Sequence, residues 1–177
     1  DIIALCNQKK IKFTEPLYAT IIKSYCLQLE VDKSEKYFVI MKNNKIKLKQ
    51  RTYTHFITMY DKLNNYDKLL EIYKDTKSNH VKLLTRDYIS LINLFLKHKN
   101  IKIITELFKE IENNDICFDQ KHIDILKASF QNCNYLFKLT TISENGLCQI
   151  NKFLLNPIDI TQNERIEMMI TFDIKIP

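Results

Sequence analysis

The sequence contains one glycine, three prolines and no tryptophan among its 177 residues. Sheets and tight hairpins depend on turns that contain glycine, whereas glycine and proline both weaken helices. Their scarcity therefore predicts an all-α protein. The chain also lacks any apolar run near the roughly 18 residues that are needed to cross a bilayer, so we expect no membrane partner.

The cysteines lack the spacings that would predict a disulfide framework or a metal site. No C-x-x-C pair is present, and such pairs are the usual start of a zinc site. We therefore expect free thiols of a reducing compartment, most of them packed as small apolar groups. Zinc bound by these cysteines alone is not expected. The five are Cys6, Cys26, Cys117, Cys133 and Cys148.

The charge balance permits a polyanionic partner without requiring one. Lys and Arg number 27 against 21 Asp and Glu, for a net charge of +6, and an excess of lysine is also what an AT-rich genome encodes. The length fits one domain, or a small domain with an appendage, and leaves no room for a second full catalytic domain. Since the chain starts at Asp1 without an initiator Met, we expect it to be a fragment.

A repeat with a period of 35 residues runs through most of the chain. Tyr18, Tyr53 and Tyr88 are 35 residues apart, and each is followed three and four positions later by apolar residues and seven positions later by an aromatic residue. This spacing predicts three repeats, at 15–49, 50–84 and 85–119. By the same alignment, 1–14 is the second helix of an earlier repeat and 120–135 the first helix of a later one. The aromatic residues at the seventh position are Tyr25, Tyr60 and Phe95.

Each repeat carries the apolar spacing of a helix twice, so it is predicted to be a pair of antiparallel helices. The second helices end at Asn44, Asn79 and Asn114, and asparagine tolerates the left-handed conformation that terminates helices. A helix pair cannot bury its apolar stripe alone, so neighbouring pairs are expected to stack around a continuous core. The Tyr, Phe and Met stripe is interpreted as that core.

The repeats resemble the pentatricopeptide repeat family. Thr52-Tyr53-Thr54-His55-Phe56-Ile57 is similar to the opening of such a repeat, and Phe38-Val39-Ile40-Met41 to its second helix. The proline that usually closes the repeat is replaced by Leu48, Leu83 and Phe118. The resemblance implies an all-α solenoid of antiparallel helix pairs. At the C-terminal end, residues 143–163 are expected to form short strands or irregular coil, because Pro157 and a run of β-branched isoleucines interrupt the helical spacing. Tetratricopeptide repeats, which bind peptides, have a period of 34 and a Trp-Leu-Gly signature. Because this chain has a period of 35 and no tryptophan, a peptide-binding scaffold is only an alternative interpretation.

The resemblance also implies RNA contacts at defined positions. In this family a base is read by the residue after the tyrosine together with the last residue of the repeat, which here pairs Ala19 with Lys49, Thr54 with Leu84, and Ile89 with Asp119. Alanine and isoleucine supply no donor or acceptor from their side chains, so we expect phosphate contacts and shape recognition instead of base reading. The residues predicted to contact phosphate are Lys23, Lys49, Arg51 and Arg86.

The segment 136–177 breaks the period and resembles the central segment of protein-only ribonuclease P. The resemblance lies in the Gly146-Leu147-Cys148 element and in the stretch from Leu155 to Glu164. The family joins its repeats here to a metallonuclease domain that uses Mg²⁺ or Mn²⁺, which we expect beyond this chain. Cys148 matches the first zinc ligand of that segment, but Asn151 stands at the second, so zinc binding at Cys148 is a weak expectation.

The sequence thus predicts an RNA-binding arm, expected to be monomeric, that holds precursor tRNA while an absent domain removes the 5′ leader. The resemblance implies an intracellular protein of an organelle or the nucleus. An organellar repeat protein that binds single-stranded RNA without a nuclease is a second interpretation. The peptide-binding scaffold is the third.

Overall fold

The computed structural model describes residues 8–9, 11, 13–133, 135–144 and 147–157, the last two ranges as backbone. These residues form seven helices, each of 13 residues, and three strands. No helix in this part of the chain is long and apolar enough to span a membrane. The helices are α1 (Glu15–Leu27), α2 (Val31–Asn43), α3 (Gln50–Lys62), α4 (Tyr66–Ser78), α5 (Thr85–Lys97), α6 (Ile101–Asn113) and α7 (Gln120–Asn132), and the strands are β1 (Cys117–Phe118), β2 (Tyr135–Glu144) and β3 (Leu147–Pro157).

The helices follow the sequence period without any drift. The first helices of the repeats begin at residues 15, 50, 85 and 120, and the second helices at 31, 66 and 101. The predicted, mainly helical repeat fold is therefore confirmed. The predicted second helix within 1–14 lies mostly outside the described residues.

Six residues in left-handed conformation set the turns between helices. Leu29, Asn64 and Lys99 follow the first helices, and Lys45, His80 and Asp115 follow the second, with φ between 50° and 58°. After each of them, a backbone N–H bonds back across the helix end, as from Ile46 N to the Met41 carbonyl at 3.1 Å. This is the Schellman ending, in which the left-handed residue is usually glycine; none of the six is glycine.

The prediction that asparagines provide the left-handed residue of the second helices is wrong by one position. Asn44, Asn79 and Asn114 have φ of −79°, −96° and −101°, and the residue after each is left-handed. Two of the asparagines act through their side chains instead, because the amides of Asn79 and Asn114 donate to the carbonyls of Asp75 and Glu110 at 2.8 and 2.9 Å. They still mark the helix end, by capping it.

The chain divides into two compact units, and the first comprises residues 1–81. Within it, α1 packs against α2 and α3, and α3 packs against α4. The predicted aromatic stripe forms the core here: Phe38 lies 4.8 Å from Phe56, ring centre to ring centre, and Tyr53 and Phe56 are fully buried. Other buried members are Ile22, Met41, Ile57, Tyr60 and Leu69.

The second unit comprises residues 82–177. In it α5 packs against α6 and α7, and the three strands form an antiparallel sheet in the order β1-β3-β2 that packs on α6 and α7. The β segment was predicted at 143–163, but the hairpin begins at Tyr135. Thr140, Thr141 and Ile142 favour strands through their β-branched side chains, and β3 supplies the partner that a strand needs. Residues 158–163 lie outside the described part.

Candidate nucleic-acid interface

One face of each first helix is open to solvent and carries cations. The second, sixth, ninth and thirteenth residues of a helix lie on one face, since their spacings are four, three and four. In α1, α3, α5 and α7 none of these sixteen residues is buried, and none is Asp or Glu. We name this set the basic stripe. Its cations, all exposed, are Lys23, Arg51, Lys62, Arg86, Lys97 and Lys121.

Among the seven helices, the excess of positive charge lies on the first helices of the repeats. In α1, α3, α5 and α7 there are seven Lys or Arg against four Asp or Glu, a difference of +3. In α2, α4 and α6 there are eight of each, a difference of zero. The net charge of the helical part is therefore placed on one kind of helix, which a uniform lysine bias would not produce.

Two helices carry a cation at each end of the stripe. Arg51 and Lys62 lie at the second and thirteenth residues of α3, and Arg86 and Lys97 at the same positions of α5. Eleven residues of α-helix span roughly 16 Å at 1.5 Å per residue. Each of these helices thus presents two separate points at which a phosphate could be held.

Two of the six cations lie near carboxylates. Arg51 Nε donates to Glu15 Oε1 at 2.9 Å, and its Nη2 also pairs with Glu15 Oε2. Arg86 Nε lies 3.9 Å from Asp87 Oδ1, but Asp87 is buried and accepts from the Leu84 N–H at 3.0 Å, at the start of α5. Lys23, Lys62, Lys97 and Lys121 take part in none of the ion pairs found within the described residues.

The residues predicted to contact phosphate are all exposed to solvent. Lys23, Arg51 and Arg86 belong to the basic stripe, and Lys49 is exposed immediately before α3, with its Nζ 3.4 Å from Glu15 Oε2. Their RNA contacts stay predictions.

Of the six positions predicted to read bases, the three that follow the tyrosines are covered, whereas Lys49 and Leu84 are exposed. Ala19, Thr54 and Ile89 are only 4%, 3% and 7% exposed, and the Thr54 hydroxyl accepts from the Gln50 amide at 2.7 Å. Asp119 is half-buried and caps α7, since its Oδ1 accepts from the His122 N–H at 2.8 Å. Little of the side chains of Ala19, Thr54 and Ile89 remains for a base edge, and the roles of all six positions stay predictions.

Three stripe cations were missed by the sequence reasoning: Lys62, Lys97 and Lys121. The period held the signal, because Lys121 lies 35 residues after Arg86, and Lys97 lies 35 residues after Lys62. A search for recurring cations, like the one made for recurring aromatics, would have found them.

The described residues offer no metal site. No three His, Cys, Asp or Glu side chains come together among them, and Cys26, Cys117 and Cys133 are free. Burial raises the pKa of Cys26 to about 12, although a hydrogen bond with Ser34 acts in the opposite direction, so this thiol is not a thiolate ligand. The side chain of Cys148 lies outside the described part, and its zinc role stays a prediction.

Comparisons with known proteins agree with the repeat and the fold. The family model for the pentatricopeptide repeat matches residues 17–46 and 87–116. No curated protein sequence matches the chain.

Among solved structures, nuclear proteinaceous RNase P 2 from A. thaliana superposes with a TM-score of 0.63 at 11% identity, over 73% of this chain and 28% of that chain. The pentatricopeptide-repeat domain of Arabidopsis thaliana protein-only RNase P 1, in complex with tRNA, gives a TM-score of 0.67 at 13% identity, over 74% and 68%. The pentatricopeptide repeat protein PPR10 from maize gives 0.60 at 16% identity, over 72% and 18%. The predicted family resemblance is thus confirmed: two of the predicted repeats match the pentatricopeptide repeat model, and nearly three quarters of the chain is similar in fold to these solved structures.

Proposed function

We propose that this chain binds precursor tRNA through the basic stripe and holds it for a ribonuclease P-type endonuclease. The observation that carries the proposal is the stripe itself, which has six exposed cations and no carboxylate on the open faces of four helices. Phosphate contacts supply most of the affinity of a protein for nucleic acid. The fold likeness to a repeat domain that was crystallised with tRNA supports tRNA as the RNA.

Recognition by shape and phosphate fits the stripe better than base reading does. The side chains of Ala19, Thr54 and Ile89 are buried, whereas sequence-specific RNA readers stack and hydrogen-bond splayed bases with accessible side chains. A surface of cations without accessible readers binds many sequences of similar shape. Folded tRNAs share one shape while differing in sequence, and they suit such a surface.

Cleavage itself is assigned to another part of the protein. The chain spans 28% of the length of nuclear proteinaceous RNase P 2, so the proposal covers only the RNA-holding arm. The described residues bring no three metal-binding side chains together. Mg²⁺ or Mn²⁺ in a nuclease domain, and zinc at Cys148, belong to the proposal for the whole protein.

A charge-neutralising variant of the stripe tests the proposal. Arg86→Gln with Lys97→Gln removes both cations of α5, and we expect binding of a labelled precursor tRNA to weaken about tenfold near 0.1 M salt. The slope of log affinity against log salt should fall by about 2, one for each lost phosphate contact. Fluorescence anisotropy over a salt series measures both quantities.

The matched control is Lys74→Gln with Lys102→Gln, which removes the same charge from exposed positions of the second helices. Equal losses of RNA affinity in the two double variants would show that net charge alone governs binding, and would refute the proposed role of the basic stripe. A single-stranded RNA of the same length that outcompetes the folded precursor would replace the tRNA proposal with the single-strand interpretation. Retention of a peptide library without any RNA binding would replace both.

A further inference from the structure

Glu15 contacts two of the cations that are predicted to bind phosphate, Lys49 and Arg51. It is the first residue of α1, which packs beside α3, and its carboxylate meets both the Arg51 guanidinium and the Lys49 ammonium. The Glu15 side chain is only 11% exposed, while those of Arg51 and Lys49 are 46% and 58% exposed. The carboxylate is therefore held inside and the cations face outward.

The contact has the geometry that a phosphate would take. Arg51 donates from Nε to one oxygen of Glu15 and from Nη2 to the other, and a guanidinium binds carboxylate and phosphate in this same two-pronged manner. The hydrogen bond from Arg51 lowers the pKa of Glu15, so this carboxylate is anionic at neutral pH. Lys49, Arg51 and Glu15 together carry a net charge of +1, although both cations were predicted to contact phosphate.

This arrangement is confined to one repeat. The first residues of the four first helices are Glu15, Gln50, Thr85 and Gln120, and only Glu15 carries a charge. In the second unit Arg86 lies beside Asp87, but that carboxylate is buried and committed to the Leu84 N–H. Two of the other first helices, α3 and α7, thus begin with glutamine at the position that Glu15 occupies in α1.

We propose that Glu15 is an internal competitor for RNA phosphate at Arg51 and Lys49. A phosphate gains the two-pronged contact with Nε and Nη2 of Arg51 only by displacing the Glu15 carboxylate, so Glu15 lowers the affinity for RNA. The inference rests on the proposed function, because it names an affinity-setting residue of the same stripe. It goes beyond that function in assigning a role to an acidic side chain.

Glu15→Gln tests the proposal in the full 177-residue chain. We expect binding to precursor tRNA about two- to fivefold tighter than wild type near 0.1 M salt, which is the range that loss of one ion pair permits. Glu30→Gln makes the same charge change at the start of α2, where Glu30 pairs with Lys33, and we expect a change of less than about 1.5-fold. In a Lys49→Ala, Arg51→Ala background the gain from Glu15→Gln should fall to that of the control. Circular dichroism at the assay temperature checks that each variant is folded.

Each outcome separates the competitor from the proposed function. Weaker binding by Glu15→Gln than by wild type would show that Glu15 positions Arg51 for RNA, and equal gains in Glu15→Gln and Glu30→Gln would show a general charge effect; either overturns the competitor. If RNA affinity falls when Arg86 is replaced but does not change when Glu15 is replaced, the proposed role of the basic stripe stands and only the proposed role of Glu15 is wrong. If neither wild type nor Glu15→Gln binds RNA at low salt, both proposals are wrong.

Discussion

Six turns of the described helices are closed by residues other than glycine, although each adopts a left-handed conformation. Placing a residue with a Cβ there costs about 1–2 kcal/mol. Glycine removes that cost but adds about 0.5–1 kcal/mol of backbone entropy in the unfolded chain. The difference between these two free energies still favours glycine, so replacing any one of these residues with glycine is expected to stabilise the protein.

Lys99→Gly is therefore expected to stabilise the protein by about 0.5 kcal/mol. Lys99 is exposed and has φ of 54°. Lys97→Gly is the matched control, since Lys97 is also exposed but is the last residue of α5, and there glycine should destabilise by about 1 kcal/mol. Urea unfolding followed by circular dichroism gives both values, and a loss of stability in both variants would contradict the assignment of the turn.

The sequence predicted where the helices end better than it predicted how they end. The polar pairs Asn64-Asn65 and Lys99-Asn100 mark the ends of two first helices in the sequence, and Asn64 and Lys99 are left-handed. In the second helices the same reasoning chose Asn79 when the left-handed residue is His80. Composition favours asparagine for that conformation, whereas the backbone hydrogen bonds of the helix end decide which residue adopts it.

Three helices of the first unit are joined by one carboxylate. Glu35 on α2 accepts from the Tyr60 hydroxyl on α3 at 2.6 Å and pairs with Lys68 Nζ on α4 at 2.9 Å. Burial raises the pKa of Tyr60, so its hydroxyl remains a donor at neutral pH. Burial alone would raise the pKa of Glu35, but the hydrogen bonds from Tyr60 and Lys68 outweigh it and lower that pKa below 4.5.

The stability that Glu35 provides should therefore disappear in acid. Because the pKa of Glu35 is lower in the folded than in the unfolded chain, its contribution is complete above about pH 4.5 and is lost as pH falls through the folded value. Glu35→Gln should be less stable than wild type by about 1 kcal/mol at pH 7, because a hydrogen bond to a charged group contributes about 1.5–3 kcal/mol and contributes less where the side chain is 32% exposed, as that of Glu35 is. The difference should shrink toward zero near pH 3.

Urea midpoints of wild type and variant between pH 7 and pH 3 measure this convergence. Glu71→Gln is the control, because Glu71 pairs with the same lysine at 3.5 Å but is 71% exposed, and exposed pairs contribute little. A difference between wild type and Glu35→Gln that stays constant across this pH range would show that the carboxylate charge is not the source of the stability.

Contacts between elements were less accessible to sequence reasoning than the elements themselves. The burial of Tyr53 and Phe56 follows from helical spacing alone. The pair of Glu15 and Arg51 does not, because the two residues are 36 positions apart and meet only through the packing of α1 beside α3. Periodicity fixes which face of a helix is apolar, whereas ion pairs depend on how two faces are set against each other.

At the scale of the molecule, the carboxylates of the described residues are dispersed in a way that bears on catalysis. No three acidic, cysteine or histidine side chains meet among the described residues, and hydrolysis of a phosphodiester by metal ions requires such a group to hold them. We therefore expect the 177-residue chain to bind precursor tRNA and to leave it intact in Mg²⁺ or Mn²⁺. Denaturing gels of a 5′-labelled precursor, with and without EDTA, check this. A discrete 5′ leader that EDTA abolishes would reveal an active site in this chain.

The strict phase of the helices limits how a gene for this chain can change length. A one-residue deletion at the start of α4 would turn every later side chain of that helix by about 100° around the helix axis, and Leu69 and Tyr73 would leave the core they now fill. Removal or duplication of 35 codons keeps each helix in phase with the turn before it. Length variants of this gene that still encode a folded protein should therefore differ by whole repeats, and frame-preserving losses of one or two codons should be confined to the ends.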